Sequence, residues 1–248
     1  MPKLYAIADR GALDERCVRV AEFARELRDA GVMLVQYRDK VNGPQEVLRM
    51  AAEIAAIFEG SGTTLILNDR ADLAVLAGFD GVHVGQEDLS VEDVRRMVGA
   101  GHSRFPPGMT ERKVRTTATA DSRFPAGMTG IKAKMPMSLE ATRYVVGVST
   151  HTDEQVRVAD ASEADYIAVG PVFATAAKLN AEPVVGLEGV RRARALTRKP
   201  IVAIGGITRE NARCVIDAGA DSVAVIGGLF VPGESVRKVV EDFLEILR

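Results

Sequence analysis

Val32-Met33-Leu34-Val35-Gln36-Tyr37-Arg38-Asp39-Lys40 carries an apolar strand core straight into polar residues at every second position. Strand side chains alternate faces with a period of two, so Gln36, Arg38 and Lys40 share one face and project from the strand's C-terminal end. Arg offers a planar fork for phosphate oxygens, Lys a mobile point charge and Gln a neutral donor, a set suited to a phosphate or pyrophosphate. An ordinary strand end emerging into solvent would also carry Lys and Arg, so the surrounding sequence has to decide.

Outward from this stretch, short apolar runs alternate with helical patterns. Strands are predicted at 4–8, 33–37, 64–68, 81–84, 145–149, 166–169, 201–204 and 222–226, with helices at 14–29, 44–59, 70–77, 91–99, 152–162, 187–197, 209–218 and 234–247. Gly78 and Gly219 stand where two of these helices should end in glycine C-caps. Eight βα units predict a (β/α)8 TIM barrel. A doubly wound open sheet is the alternative, disfavoured because no Gly-x-Gly-x-x-Gly follows the first strand.

The 248 residues, 47% hydrophobic and 27% charged, bound a single large soluble domain or two small ones, and the eight βα units favour one domain over 1–248. No apolar run reaches the roughly 18 residues of a membrane span, and the N-terminus enters a strand without a signal-peptide pattern, so a cytoplasmic protein is expected. A net charge of −2 argues against nucleic acid as a partner. Cys17 and Cys214 each fall in a predicted amphipathic helix and read as reduced structural residues. A homo-oligomer is left open.

In a barrel the chemistry sits at the C-terminal strand ends. Beyond Gln36, Arg38 and Lys40, these ends carry Asn68-Asp69, Gly85-Gln86-Glu87-Asp88, Ser149-Thr150-His151, Thr175 with Lys178, Gly205-Gly206 and Gly227-Gly228. Asp69 and Asp88 follow adjacent strands and suit Mg2+, which shares itself between few protein carboxylates and substrate phosphates. The plainer alternative for Asp69 is a helix N-cap; for Asp88 that role is taken by Ser90. The two glycine pairs suit a second anion site built from backbone N–H groups, or are merely tight turns. Two anion sites imply two phosphorylated small-molecule substrates. His83 reads as a satisfied packing residue, and His151 as a proton-transfer group, a cap or an exposed residue. No nucleophile–base pair can be placed, which favours charge stabilisation of a leaving group over covalent catalysis.

With these motifs in this order, the chain resembles the thiamine-phosphate synthase family outside about 102–141. The resemblance rests on Gln36-x-Arg38-x-Lys40, Asn68-Asp69, Gly85-Gln86-x-Asp88, Gly147-Val148-Ser149-x-His151, Gly170-Pro171-Val172-Phe173, Ile204-Gly205-Gly206-Ile207 and Gly219-Ala220-Asp221. It implies a transferase joining hydroxymethylpyrimidine diphosphate to thiazole phosphate by a dissociative, Mg2+-assisted route that releases pyrophosphate. It also implies that Gln36, Arg38, Lys40, Asn68 and Lys178 hold the diphosphate, with Ser149 near the pyrimidine ring and Tyr37 and Asp39 in the same substrate-binding stretch. Thr175, Ala177, Gly206, Ile226 and Gly227 would meet the thiazole phosphate, Asp69 and Asp88 would hold Mg2+, and Arg38, Lys40, Ser149 and Lys178 form the expected catalytic set.

Three departures stand out. Ala177 replaces a family Thr, and Gly227 stands where Ser is common, removing two hydroxyl donors; weaker thiazole phosphate binding is expected. Residues 102–141 are an insertion in which Ser103-Arg-Phe-Pro-Pro-Gly-Met-Thr110 recurs as Ser122-Arg-Phe-Pro-Ala-Gly-Met-Thr129. Its Pro, Gly, Thr and basic content predicts a mobile surface excursion, or else a basic interaction arm. Two rival functions remain, a thiazole tautomerase paralogue and a catalytically silent phosphometabolite-binding barrel.

Overall fold

The computed structural model describes residues 1–100, 144–175 and 183–248. The expected insertion, Ala177 and Lys178 lie outside the described residues. Eight parallel strands, β1 Leu4–Asp9, β2 Leu34–Arg38, β3 Thr64–Asn68, β4 Gly81–Val84, β5 Val145–Thr150, β6 Tyr166–Val169, β7 Ile201–Ile204 and β8 Ser222–Val225, close into a barrel in sequence order. β8 returns to β1 through pairs such as Leu4 with Val223. The predicted strands agree with these to within one residue at either end.

Alternation along each strand splits the core in two. Tyr5, Ile7, Leu34, Ile66, Tyr166, Ala168, Val202 and Ala224 fill the barrel interior. Residues on the opposite faces, such as Leu4, Ala6, Ala8, Val35 and Tyr37, pack against the helices. Those helices bury apolar stripes at helical spacing: α3 (Pro44–Phe58) turns Val47, Met50, Ala51, Ile54 and Phe58 inward behind a Pro at its first turn. The glycine stops appear as expected. Gly78 ends α4 (Ala71–Ala77) at φ 73°, and Gly219, at φ 111°, follows α8 (Ala212–Asp217). Among the described residues no helix is long and apolar enough to cross a membrane.

The helix predicted over 14–29 is corrected. Two helices occupy the span, α1 Arg10–Asp14 and α2 Val20–Asp29. Between them Cys17 takes a left-handed φ of 54°, and Val18 N–H reaches back to Leu13 O at 3.0 Å. This stop is usually made by glycine. Cys17 is therefore an exposed turn residue, and Cys214, inside α8, is exposed too.

The floor of the barrel is held by carboxylates. Asp80, Asp165 and Asp221, each just before an even-numbered strand, accept 2.7–2.8 Å bonds from the backbone N–H of Leu65, Val146 and Ile201 on the preceding odd-numbered strand. Arg95 and Arg194 brace two of them, Asp165 and Asp221. This accounts for the Gly219-Ala220-Asp221 motif as structural.

Candidate active site at the barrel mouth

β2 ends where its sequence suggests, with Gln36 buried at the cavity floor and Arg38 at the mouth. Arg38 lies in register with Asp9 of β1, and its Nη1 bonds the Asp9 carboxylate. Asp9 also accepts from Ala12 N–H at 2.8 Å and so caps α1. Strand one, which offered nothing in the sequence reading, thus orients the guanidinium. Lys40 Nζ sits 3.1 Å from Asp69 Oδ2.

Tyr37 and Asp39, expected beside the substrate, are placed differently. Tyr37 has no exposed surface and faces the helix layer, because it lies on the opposite face of β2 from Gln36 and Arg38. Its hydroxyl donates to Asp39 Oδ2 at 2.7 Å. Asp39 in turn accepts from the backbone N–H of Val41 and Asn42, both at 3.0 Å. Burial works to raise the Asp39 carboxyl, but bonds from Asn42, Tyr37 and Val41 outweigh it and hold it below the ordinary range. The pair shapes the loop after β2 from behind.

Asp69 takes a left-handed φ of 61° as β3 ends, while Arg70 occupies the N-cap position of α4 without a side-chain bond. Capping is thus not the work of the Asp69 side chain. Burial and then the neighbouring Asp88 carboxylate push the Asp69 carboxyl above the ordinary range, against the pull of Lys40. Asp88 folds back so that Oδ2 accepts from Gly85 N–H at 2.8 Å; a Cβ on Gly85 would stand 2.9 Å from that oxygen. Ser90 caps the next helix, α5 (Val91–Ala100), accepting from Asp93 N–H at 3.1 Å and leaving Asp88 for the site. Two carboxylates held in mutual contact beside a lysine are hard oxygen donors of the kind a divalent cation takes. Among the described residues no group of three or more His, Cys, Asp or Glu side chains assembles, so water and a ligand's oxygens would complete the coordination sphere.

Across the mouth, Gly205 and Gly206 adopt φ 104° and 63° and press against the segment after β6. A Cβ on Gly206 would fall 2.5 Å from Ala174 O. Tight turn and close approach are therefore both true of this pair. Asn211, absent from the sequence reading, bonds Gly206 O through Nδ2 at 3.0 Å and accepts from Thr208 N–H at 2.8 Å, bracing the loop. Gly227 opens a 3-10 turn (Gly227–Leu229) and has no atom within 4 Å of where a Cβ would project. A serine would fit there.

Two adjoining cavities result. One of about 60 Å³ is lined by Gln36, Arg38, Asn68, His83 and Ser149. The other, about 330 Å³, is lined by Thr175, Gly206, Gly227 and His151 among others. Ser149, Ala168, Ile204, Ala224 and Ile226 line both. His151 is tied by Nδ1 to Gly170 O at 2.6 Å, and the cap of α6 (Asp153–Ala161) is made by Thr152. His83 has partners, as expected of a packing residue, but one is Ser149 Oγ at 2.8 Å. Ser149 is also gripped by Gln86, whose Nε2 donates to its carbonyl at 2.5 Å.

A parallel barrel with a cationic clamp and paired carboxylates on one side of its mouth, and a glycine-walled cavity on the other, defines the class of phosphate-handling barrel proteins. Sequence comparison makes this particular. The family model described as thiamine monophosphate synthase matches residues 4–103 and 127–229, and the chain belongs to that family. The thiamine-phosphate synthase of Koribacter versatilis is 44% identical over 249 residues, spanning 100% of this chain and 96% of the relative. That of Methanoregula boonei is 37% identical over 84% of this chain and 77% of its own. Among solved structures, thiamine phosphate pyrophosphorylase from Pyrococcus furiosus superposes with a TM-score of 0.71 at 27% identity, covering 99% of this chain and 95% of that one. Orotidine 5'-phosphate decarboxylase from Pyrococcus horikoshii, at 14% identity and a TM-score of 0.59, shares the fold alone.

Proposed function

We propose that this chain is a thiamine-phosphate synthase, a transferase that joins hydroxymethylpyrimidine diphosphate to thiazole phosphate and releases pyrophosphate. The observation that carries the assignment of sites is the pair of cavities meeting at Ser149 and Ile226, one beneath Gln36, Arg38 and Asn68, the other against Gly206 and Gly227. A reaction between two phosphorylated molecules needs two anion-suited pockets with a common wall.

In this reading the diphosphate lies against Arg38, Lys40 and Asn68, with Lys178 assigned to it by the family motif alone, and the pyrimidine ring rests beside Gln36 and Ser149. Asp9 keeps the Arg38 fork aimed at the leaving group. Asp69 and Asp88 would hold Mg2+, which when bound would supply neutralisation of charge on the departing pyrophosphate. The C–O bond to the pyrimidine methylene breaks with its electron pair leaving on pyrophosphate, and the thiazole nitrogen supplies the pair that forms the new C–N bond. Nothing in these steps asks for an enzymic nucleophile, and although the fold brings His83 Nε2 within 2.8 Å of Ser149 Oγ, a pair the motifs did not foresee, neither is given a covalent role. The thiazole phosphate sits on the backbone N–H groups around Gly206 and Gly227, with Thr175 and Ile226 beside it and Ala177 in place of a hydroxyl donor. Weaker thiazole phosphate binding than with both hydroxyls is expected.

A coupled assay of pyrophosphate release, run with both substrates and Mg2+, tests the proposal. Release that depends on both substrates supports it. Isomerisation of the thiazole without release, or binding without turnover, would replace it with the tautomerase or the silent-barrel reading.

A further inference from the structure

Five side chains from five strands form a continuous chain inside the barrel. Gln36 Nε2 donates to Tyr5 Oη at 2.8 Å, Tyr5 Oη meets Tyr166 Oη at 2.9 Å, and Tyr166 Oη meets His83 Nδ1 at 3.0 Å. His83 Nε2 meets Ser149 Oγ at 2.8 Å. Both tyrosines are buried, and burial pushes both phenols far above their ordinary range, so each carries one proton. The Tyr166 ring lies 5.6 Å from that of His83 at an interplanar angle of 16°. It reaches there by crossing Gly147, where a Cβ would stand 2.0 Å from its Cζ.

The polarity follows from counting protons. An amide nitrogen only donates, so Tyr5 accepts from Gln36 and, among the described residues, its own proton goes to its other partner, Tyr166. Tyr166, having accepted from Tyr5, donates to His83 Nδ1. A ring nitrogen that accepts is unprotonated, so the imidazole proton is on Nε2, and it is given to Ser149 Oγ. One lone pair of the Ser149 oxygen is then taken by His83, so the Ser149 proton cannot point at His83 and is left for an acceptor in the cavities that Ser149 lines.

We infer that this one-way relay from Gln36 through Tyr5, Tyr166 and His83 to Ser149 fixes His83 as the Nε2–H tautomer and frees the Ser149 hydroxyl proton to donate toward the substrate ring. His83, Tyr5 and Tyr166 are positioning residues. The identity of the ring, a pyrimidine with acceptor nitrogens, rests on the function proposed above; the polarity of the relay does not.

Nitrogen-15 NMR of the full chain labelled at histidine reads the tautomer directly, with the His83 signals assigned by their loss in His83→Gln. The expected result is an unprotonated Nδ1 and a protonated Nε2 in the parent, and loss of this bias in Tyr166→Phe, which keeps the ring and removes the hydroxyl. A protonated Nδ1 in the parent reverses the relay and overturns the inference, as does an unmoved tautomer in Tyr166→Phe. Because the parent spectrum decides the polarity, a variant that fails to fold does not rescue the idea. In turnover, Tyr166→Phe should lower kcat/KM for the pyrimidine diphosphate roughly five- to tenfold, the worth of one buried hydrogen bond, while KM for thiazole phosphate stays unchanged. His83→Gln, whose amide can still donate to Ser149, should retain more activity than His83→Leu; equal losses would make His83 merely a packing residue. If the parent shows the expected tautomer but releases no pyrophosphate, the functional reading fails and the relay stands.

Discussion

Gly147→Ala should be among the most damaging single-methyl additions to this barrel. The new Cβ would lie 2.0 Å from Tyr166 Cζ and 2.4 Å from its Oη, whereas ordinary contact begins at 3.4 Å. The phenol must therefore retreat by about 1.4 Å, the difference between 3.4 and 2.0 Å. Its hydroxyl makes bonds of 2.9 Å to Tyr5 and 3.0 Å to His83, and a shift of that size breaks at least one of them among buried side chains. Overpacking costs about 1–3 kcal/mol, and each buried polar group left unpaired a further 1–3, so a total of about 3–5 kcal/mol is expected. For a chain of this length that lowers Tm by about 10 °C. Urea unfolding followed by circular dichroism measures the loss, with the slope checked so that a changed midpoint reports stability. A second measurement isolates the cause: in a Tyr166→Ala background the clash partner is gone, and Gly147→Ala should become nearly neutral. A Gly147→Ala variant within about 0.5 kcal/mol of the parent, or one equally damaging in both backgrounds, would show that Tyr166 does not need the space.

Asp69→Asn and Asp88→Asn should each reduce pyrophosphate release by at least about a hundredfold with Tm nearly unchanged, since residues at the strand ends carry little core packing. Equal activity in EDTA and in Mg2+ would remove the metal from the account. Arg38→Lys keeps the charge but loses both the fork and its geometry against Asp9, so affinity for the pyrimidine diphosphate should fall about tenfold, and isothermal titration showing no change would mean that Arg38 serves Asp9 alone. Replacing residues 103–140 with a short Gly-Ser link should leave Tm and pyrophosphate release close to those of the full chain, because the described chain departs at the end of α5 and returns at β5, both at the floor. Abolished release with an intact barrel would show that the segment acts at the mouth or in assembly.

The barrel was legible because its signals are repetitive: eight apolar runs, eight helical periods and glycine stops. The 14–29 helix was misread because Leu13, Cys17, Val20, Ala24 and Leu27 keep a helical rhythm across a turn that contains neither Gly nor Pro. Only the positive φ at Cys17 reveals the stop. The placing of Gln36, Arg38, Lys40, Asp69 and Asp88 at the mouth end of the barrel was readable from strand-end position and polarity. Tyr5 and Tyr166 were not, since an aromatic inside a strand reads as core, and their hydroxyls meet only because β1 and β6 face each other across a closed interior, 161 residues apart. Asp9 was overlooked for a related reason: its value lies in a register pair with Arg38, and register is a property of two strands. Tyr37 was assigned to the substrate through its neighbours, although strand alternation places it on the opposite face.

The floor carboxylates divide the barrel into modules. Asp80 ties β3 to β4, Asp165 ties β5 to β6, and Asp221 ties β7 to β8. Each two-stranded quarter thus carries its own fastening at the end away from the chemistry. In the first quarter, β1 with β2, the corresponding acid–base tie is Asp9 with Arg38, and it sits at the mouth. Three quarters can accept new loops without disturbing what pins their strands together. The first cannot, because its rivet itself stands at the mouth, so grafting a new loop onto β1 or β2 requires transplanting both partners as a unit.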